Sequence, residues 1–144
     1  MELIFASATE QAKAIREKRI SSVELTQACL NRIAQVNPKL NAVVQLTAET
    51  ALAEARAVDR ALARGEFKGP LHGVPFTLKD AIETEGVIST GGTLGRASYV
   101  PKGDATVVKR LRAAGGILLG KTNCPELGWA WESDNLIYGR TNNP

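Results

Sequence analysis

Gly69-Pro70-Leu71-His72-Gly73-Val74-Pro75-Phe76-Thr77-Leu78-Lys79-Asp80 is the stretch on which the fold turns. Its first half is punctuated by glycine and proline, which mark turns. Phe76-Thr77-Leu78 then reads as a short buried strand that ends at Lys79-Asp80. Gly86, Gly91-Gly92 and Gly95 predict an irregular loop. Asp104 is suited to cap a helix running through Ala114, with Val107, Val108, Leu111 and Ala114 apolar, and Gly115-Gly116 terminates it. Ile117-Leu118-Leu119 is wholly apolar and bounded by glycine, the pattern of a second buried strand. Strand, loop and helix, then strand make a crossover unit, so the fold class is α/β. Two such strands in one parallel sheet require a right-handed crossover. Ligands of open α/β sheets bind beyond the carboxyl ends of the strands. Lys79 and the segment from Lys121 onward are therefore expected on the same side.

Working outward, Ser7-x-x-Glu10 and Ser21-x-x-Glu24 are capping boxes. They predict helices to about Lys18 and to about Val36, the second stopped by Asn37-Pro38. Leu25, Cys29, Ile33 and Val36 form one apolar stripe on that second helix, which makes Cys29 a packing thiol. Leu40, Ala42, Val44 and Leu46 alternate as in a short strand. An alanine-rich helix follows from about Ala48 to Arg64, with Gly65 at C′. Ala48, Leu52, Ala55 and Leu62 are its predicted apolar face. The chain reads as one domain over 1–144, with a mainly helical lead-in over 1–65 and a lysine-bearing α/β part over 66–144.

The 144 residues carry a net charge of +3, with 44% apolar and 23% charged residues. That composition excludes fibrous and disordered classes. Acids and bases are interspersed without a basic run, so no nucleic-acid or membrane footprint is read. Met1-Glu2-Leu3-Ile4-Phe5 lacks the basic start of a signal peptide, and no window approaches the ~20 apolar residues of a membrane span. Cys29 and Cys124 are far apart and form no C-x-x-C. A reduced, cytoplasmic setting is the expectation.

Several residues invite chemistry. A lysine placed directly after an apolar strand can be drawn toward a buried sheet edge. Desolvation then disfavours its ammonium and makes it a proton acceptor. A lysine that snorkels from a strand end fits the same spacing. Asp80 can pair with a charged lysine or cap the following turn. Gly115-x-x-x-x-Gly120-Lys121-Thr122 matches the phosphate-loop expression letter for letter. The residues before it read as a helix and those between its glycines as a strand, which leaves no exposed amide cradle. His72, the one histidine, lies in a glycine–proline turn, where a triad role is disfavoured. One histidine and two separated cysteines leave no metal-ligand cluster, and no cofactor is expected. Cys124 lacks an identifiable base. Trp129 and Trp131 precede the polar run Glu132-Ser133-Asp134-Asn135 and suit either a core or a pocket wall.

From Gly69 onward the chain resembles the amidase signature family. The matching text is Gly69 through Lys79-Asp80, then Gly86, then Gly103-Asp104-Ala105-Thr106-Val107-Val108. It continues as Leu111-Arg112-Ala113-Ala114-Gly115-Gly116-Ile117-Leu118-Leu119-Gly120-Lys121-Thr122-Asn123, Glu126, Asn135, Tyr138-Gly139-x-Thr141 and Asn143-Pro144. The helices before residue 65 look like the family's N-terminal region, less distinctively. The resemblance implies the N-terminal part of a mixed-sheet amidase fold and, for the complete protein, hydrolysis of small-molecule carboxylic amides. It also implies a Ser-Ser-Lys triad whose lysine matches Lys79. A bridging serine held by a cis peptide passes a proton to the neutral lysine and activates the nucleophilic serine, which forms an acyl-enzyme. Backbone amides of a glycine-rich loop stabilise the oxyanion. Gly128, Trp129 and Trp131 match positions that border the acyl pocket in fatty-acid amide hydrolase relatives.

The departure from the family pattern is the Gly-Gly-Ser-Ser-Gly-Gly signature, which these residues do not contain. None of Ser89, Ser98 and Ser133 matches either catalytic serine, so the chain by itself is expected to be inactive. Its exposed sheet edges are expected to favour self-association. The A subunit of a glutamyl-tRNA amidotransferase, which shares all these blocks, is the first rival reading. A non-catalytic binding or interaction domain is the rival from a different class, and a phosphate-loop nucleotide binder the most distant one.

Overall fold

The computed structural model describes residues 3–144. A short 3-10 turn at Leu3–Phe5 is followed by α1 (Ala8–Arg16), α2 (Ser22–Leu40), β1 (Val43–Leu46) and α3 (Ala48–Ala63). Next come β2 (Pro75–Lys79), a 3-10 turn at Leu94–Arg96, α4 (Thr106–Ala113), β3 (Ile117–Thr122) and a 3-10 turn at Glu126–Gly128. The three strands form one sheet in the order β1-β3-β2, with β1 antiparallel to β3. Ile117 N–H donates to the Val74 carbonyl and Asp80 N–H to that of Thr122. Both segments therefore advance in the same direction, and β2 runs parallel to β3. The crossover between them contains α4, as the order strand, loop and helix, then strand predicts. The fold is α/β with a mixed sheet.

Two compact units divide the chain. One comprises Met1–Arg32, Thr47–Phe76 and Lys109–Leu119; the other comprises Ile33–Leu46, Thr77–Val108 and Gly120–Pro144.

In the first unit, helix ends obey a common rule. After α1, α3 and α4, the residue at C′ donates to C2 and the next residue to C3. The paired bonds are Lys18→Ile15 and Arg19→Ala14, Gly65→Leu62 and Glu66→Ala61, and Gly115→Arg112 and Gly116→Leu111. These are Schellman motifs, which satisfy carbonyls that the helix leaves without partners. Both predicted capping boxes form, at Ser7/Glu10 and Ser21/Glu24. A third cap is invisible in local sequence. Both Asp59 carboxylate oxygens, on α3, accept from the first amides of α2, Ser22 at 2.8 Å and Val23 at 3.1 Å. The buried Ser22 hydroxyl donates to the Gly73 carbonyl at 2.9 Å. Residues 71–74 run beside 114–117, joined by Leu71→Ala114, Gly73→Gly115 and Ile117→Val74 hydrogen bonds.

Several expectations differ from the structure, among them the strand read over 40–46, which begins only at Val43 because Leu40 still belongs to α2. Helix α2 does not stop at Asn37-Pro38 but runs to Leu40, with Asn41 left-handed behind it (φ +53). Asn37 explains the continuation. Its side chain accepts from Ala42 and Val43 N–H and donates to the Val43 carbonyl, so it fastens the next segment rather than breaking the helix. The buried face of α3 is Ala51, Ala55, Val58 and Ala61, while Ala48, Leu52 and Leu62 are only half-buried. Small residues line the close approach, and the leucines border it. Strand β3 extends to Thr122 instead of Leu119, because β1 pairs with its second half: Gln45 opposite Lys121 and Leu46 opposite Gly120.

In the second unit, asparagines do what regular structure does not. Asn123 donates to the Gly139 carbonyl and Thr141 Oγ1. Asn135 donates to Asn123 Oδ1 and the Cys124 carbonyl, and accepts from Ile137 and Tyr138 N–H. Asn41 donates to the Tyr138 and Arg140 carbonyls. The irregular segment 133–142 thus has backbone groups satisfied by side chains beside the strand ends.

Candidate functional site

Lys79 is the last residue of β2, at its carboxyl end, with an exposed side chain. The backbone after it turns sharply away: Ile82 N–H donates to the Lys79 carbonyl at 2.9 Å. The Glu126–Gly128 turn lies opposite, and a Cβ on Gly128 would stand 4.0 Å from Lys79 Nζ. That turn is left-handed at two consecutive residues, Leu127 (φ +49) and Gly128 (φ +79). For leucine this conformation costs about 1–2 kcal/mol. A short bond from Leu127 N–H to the Gly91 carbonyl, 2.7 Å, holds it. Lys79 and Gly128 are therefore brought together, as the crossover geometry predicts. Trp129 and Trp131 follow the turn with their rings in solvent, 88% and 101% exposed, and Leu127 and Leu136 are exposed as well. Of the two roles open to the tryptophans, packing in a core among the described residues is ruled out.

The lysine drawn into the interior is Lys121, not Lys79. Its side chain is fully buried. Its amine donates to the Ile82 carbonyl at 2.5 Å and Ser89 Oγ at 2.8 Å, with a longer contact of 3.4 Å to the Asp80 carbonyl. Burial pushes the Lys121 amine below its ordinary pKa, and the negative charge of Asp80 acts in the opposite direction. The Asp80 carboxylate is also fully buried; its Oδ2 accepts from Thr90 N–H and the Thr90 hydroxyl, at 3.1 and 2.5 Å. Thr90 Oγ1 accepts in turn from Gly92 N–H at 2.9 Å. Sequence reasoning passed over this cluster because Lys121 sits in a glycine-flanked run that resembles a loop. Gly120 is instead in β3, where a Cβ would overlap the Gln45 carbonyl oxygen. That is a strand requirement and not a phosphate cradle.

Other candidates are committed elsewhere. Ser89 is buried, donating to the Val87 carbonyl while accepting from Lys121, so its hydroxyl faces no solvent. Cys124 is buried, and burial raises its thiol pKa, the wrong direction for a nucleophile. Cys29 is half-buried on α2 and is shifted upward by burial as well. His72 is fully buried, accepts from Lys68 N–H through Nδ1 and stacks on Phe67 at 4.8 Å. Asp104 lies two residues before α4, and its Oδ1 accepts from Glu85 N–H at 2.8 Å. Among the described residues no group of three or more histidine, cysteine or acidic side chains could hold a metal, and no helix is long and apolar enough to cross a membrane.

A strand-end lysine beside a left-handed glycine turn, on a mixed sheet with a helical crossover, defines an α/β fold whose candidate site lies at the strand carboxyl ends. The family model described as Amidase matches residues 24–144, and the chain belongs to the amidase signature family. It is 44% identical over 142 residues to an acylamidase of Rhodococcus erythropolis, covering 99% of this chain and 30% of that protein. It is 43% identical over 149 residues to fatty-acid amide hydrolase 2 of Homo sapiens, covering 99% of this chain and 28% of that protein. A glutamyl-tRNA(Gln) amidotransferase component of Moorella thermoacetica is 46% identical over 144 residues, covering 100% of this chain and 30% of that protein. The fold superposes on a fatty acid amide hydrolase with a TM-score of 0.93 at 29% identity, over 99% of this chain and 25% of that one. The chain thus spans less than a third of the relatives it matches.

Proposed function

We propose that these residues form the lysine-bearing part of an amidase that cleaves carboxylic amide C–N bonds through an acyl-enzyme, with Lys79 as the base. The observation that carries this reading is the placement of Lys79. It stands exposed at the carboxyl end of β2, its amine uncommitted to any hydrogen bond or ion pair among the described residues, beside the Gly128 turn. Membership of the amidase signature family supports the reaction class. In the Ser-Ser-Lys scheme, neutral Lys79 takes a proton from a bridging serine, which takes one from the nucleophilic serine. The serine oxygen then bonds to the amide carbon. Collapse breaks the C–N bond, the leaving amine receives the proton, and water later adds to the ester to release the acid. None of Ser89, Ser98 and Ser133 matches a serine of this scheme. Gly128, Trp129 and Trp131 would border the acyl side of the substrate.

The test replaces Lys79 in the complete protein and measures ammonia release from a panel of amides. Lys79→Ala and Lys79→Arg both lose turnover while keeping the fold, because a guanidinium stays protonated at working pH. Robust activity in either variant removes Lys79 from the chemistry. The likeness to glutamyl-tRNA(Gln) amidotransferases supports a second reading, in which the chain belongs to the A subunit of such an amidotransferase. Co-purification with partner subunits and tRNA-dependent turnover would select it.

A further inference from the structure

We propose that Lys121 is a positioning residue for the Lys79 site, acting with Asp80 and Thr90 as a buried clamp that fixes the two segments facing the Lys79 amine. The inference rests on the reading of Lys79 given above. Three oxygen acceptors and no donor surround the Lys121 amine: the Ile82 and Asp80 carbonyls and Ser89 Oγ, whose own proton goes to the Val87 carbonyl. That arrangement calls for an ammonium, which the charge of the buried Asp80 carboxylate favours from a distance, without an ion pair between the two side chains.

The geometry links this amine to the site along two routes. The first is the backbone of Asp80 and Ile82, the turn that immediately follows Lys79. Two of its carbonyls converge on one ammonium, which fixes the direction in which β2 ends and hence where the Lys79 side chain departs. The second route runs through the loop at 89–92. Lys121 holds Ser89, and Asp80 holds Thr90 through both its amide and its hydroxyl. The same hydroxyl orients Gly92, and the Gly91 carbonyl accepts from Leu127. Leu127 and Gly128 form the strained left-handed turn beside Lys79 Nζ. A conformation of that kind persists only where its surroundings over-determine it. Gly92 leaves no slack either, since a Cβ there would meet the Cys124 and Pro125 carbonyls at 3.1 Å. The buried Lys121 amine and Asp80 carboxylate, through their separate hydrogen bonds, therefore set both the strand end that carries the base and the turn that faces it. Neither Lys121 nor Asp80 reaches solvent, so neither touches substrate.

The experiment uses Lys121→Met, which keeps the length and volume of the side chain without its charge, with Thr90→Ser as the conservative variant and Thr90→Val as the disruptive one. Two readouts are taken. In the complete enzyme, Lys121→Met and Thr90→Val lower kcat by about 10–100-fold with little change in KM, the signature of a misplaced reacting group. Thr90→Ser keeps activity. Independently of turnover, the lysines are reductively methylated with 13C-formaldehyde, and the Lys79 resonance is assigned by its loss in Lys79→Arg. Lys121 resists methylation until the protein unfolds, and the Lys79 resonance and its titration shift in Lys121→Met and Thr90→Val but not in Thr90→Ser. A folded Lys121→Met protein with an unmoved Lys79 resonance and wild-type kcat overturns the clamp. A moved resonance in a protein whose Lys79→Ala variant is fully active upholds the clamp and removes the catalytic reading of Lys79 instead.

Discussion

Gly115→Ala is the substitution whose cost the backbone specifies most completely. Two terms add. The residue sits at φ +93, a conformation that costs a Cβ-bearing residue about 1–2 kcal/mol. The new methyl group would also stand 2.8 Å from His72 Cα and 3.0 Å from His72 N. These are backbone atoms of a segment zipped to 114–117 by three hydrogen bonds, so they cannot rotate aside. Overpacking of this sort costs about 1–3 kcal/mol. The sum, about 2–5 kcal/mol, is a large part of the roughly 5–15 kcal/mol that holds a domain. Gly103→Ala is the matched control. Its Cβ would meet nothing within 4 Å and its φ is not left-handed, so restricting the unfolded chain makes it neutral or stabilising by about 0.4–1 kcal/mol. Urea denaturation of the two variants should therefore move the midpoint in opposite directions with unchanged m. Equal midpoints for Gly115→Ala and the parent would refute the close approach of 115 to 72.

The other predictions follow from named contacts. Burial pushes the His72 imidazole below its ordinary pKa, with a Val58 backbone contact working the other way. The unfolded chain then binds the proton more readily, so stability present above about pH 6.5 falls as pH drops through the folded value; the difference in urea midpoint between pH 8 and 5.5 should shrink in His72→Gln, and an equal difference in both proteins would count against a neutral buried imidazole. Asp59→Ala strands two amides at the start of α2 and should cost about 1–3 kcal/mol, while Asp59→Asn, which keeps one acceptor oxygen, recovers part of it; identical losses in both would mean that the carboxylate does not cap. In the complete enzyme, Trp129→Ala should change the ratio of kcat/KM between short and long acyl amides by roughly 10-fold. A uniform loss at all chain lengths would deny it a place in the pocket.

What the sequence alone determined was the local grammar. The capping serines, the C′ glycines at 65 and 115, and the two short strand runs, Phe76-Thr77-Leu78 and Ile117-Leu118-Leu119, define helices, strands and their α/β order, because each acts within a few residues of itself. The ordered blocks from Gly69 to Pro144 carried the family, and with it Lys79 at a strand end. Tertiary structure decided what depends on distant partners. Asn37 stops no helix because Ala42 and Val43 engage its side chain. The buried face of α3 is three alanines and Val58 instead of its leucines, since close approach favours small side chains. Strand β3 grew by three residues because β1 came to lie beside it. Two lysines at strand ends, Lys79 and Lys121, carry the same side chain; their fates diverged because one strand ends in solvent and the other is the centre of the sheet, where an amine survives only with Ile82, Ser89 and Asp80 gathered from some forty residues away to receive it.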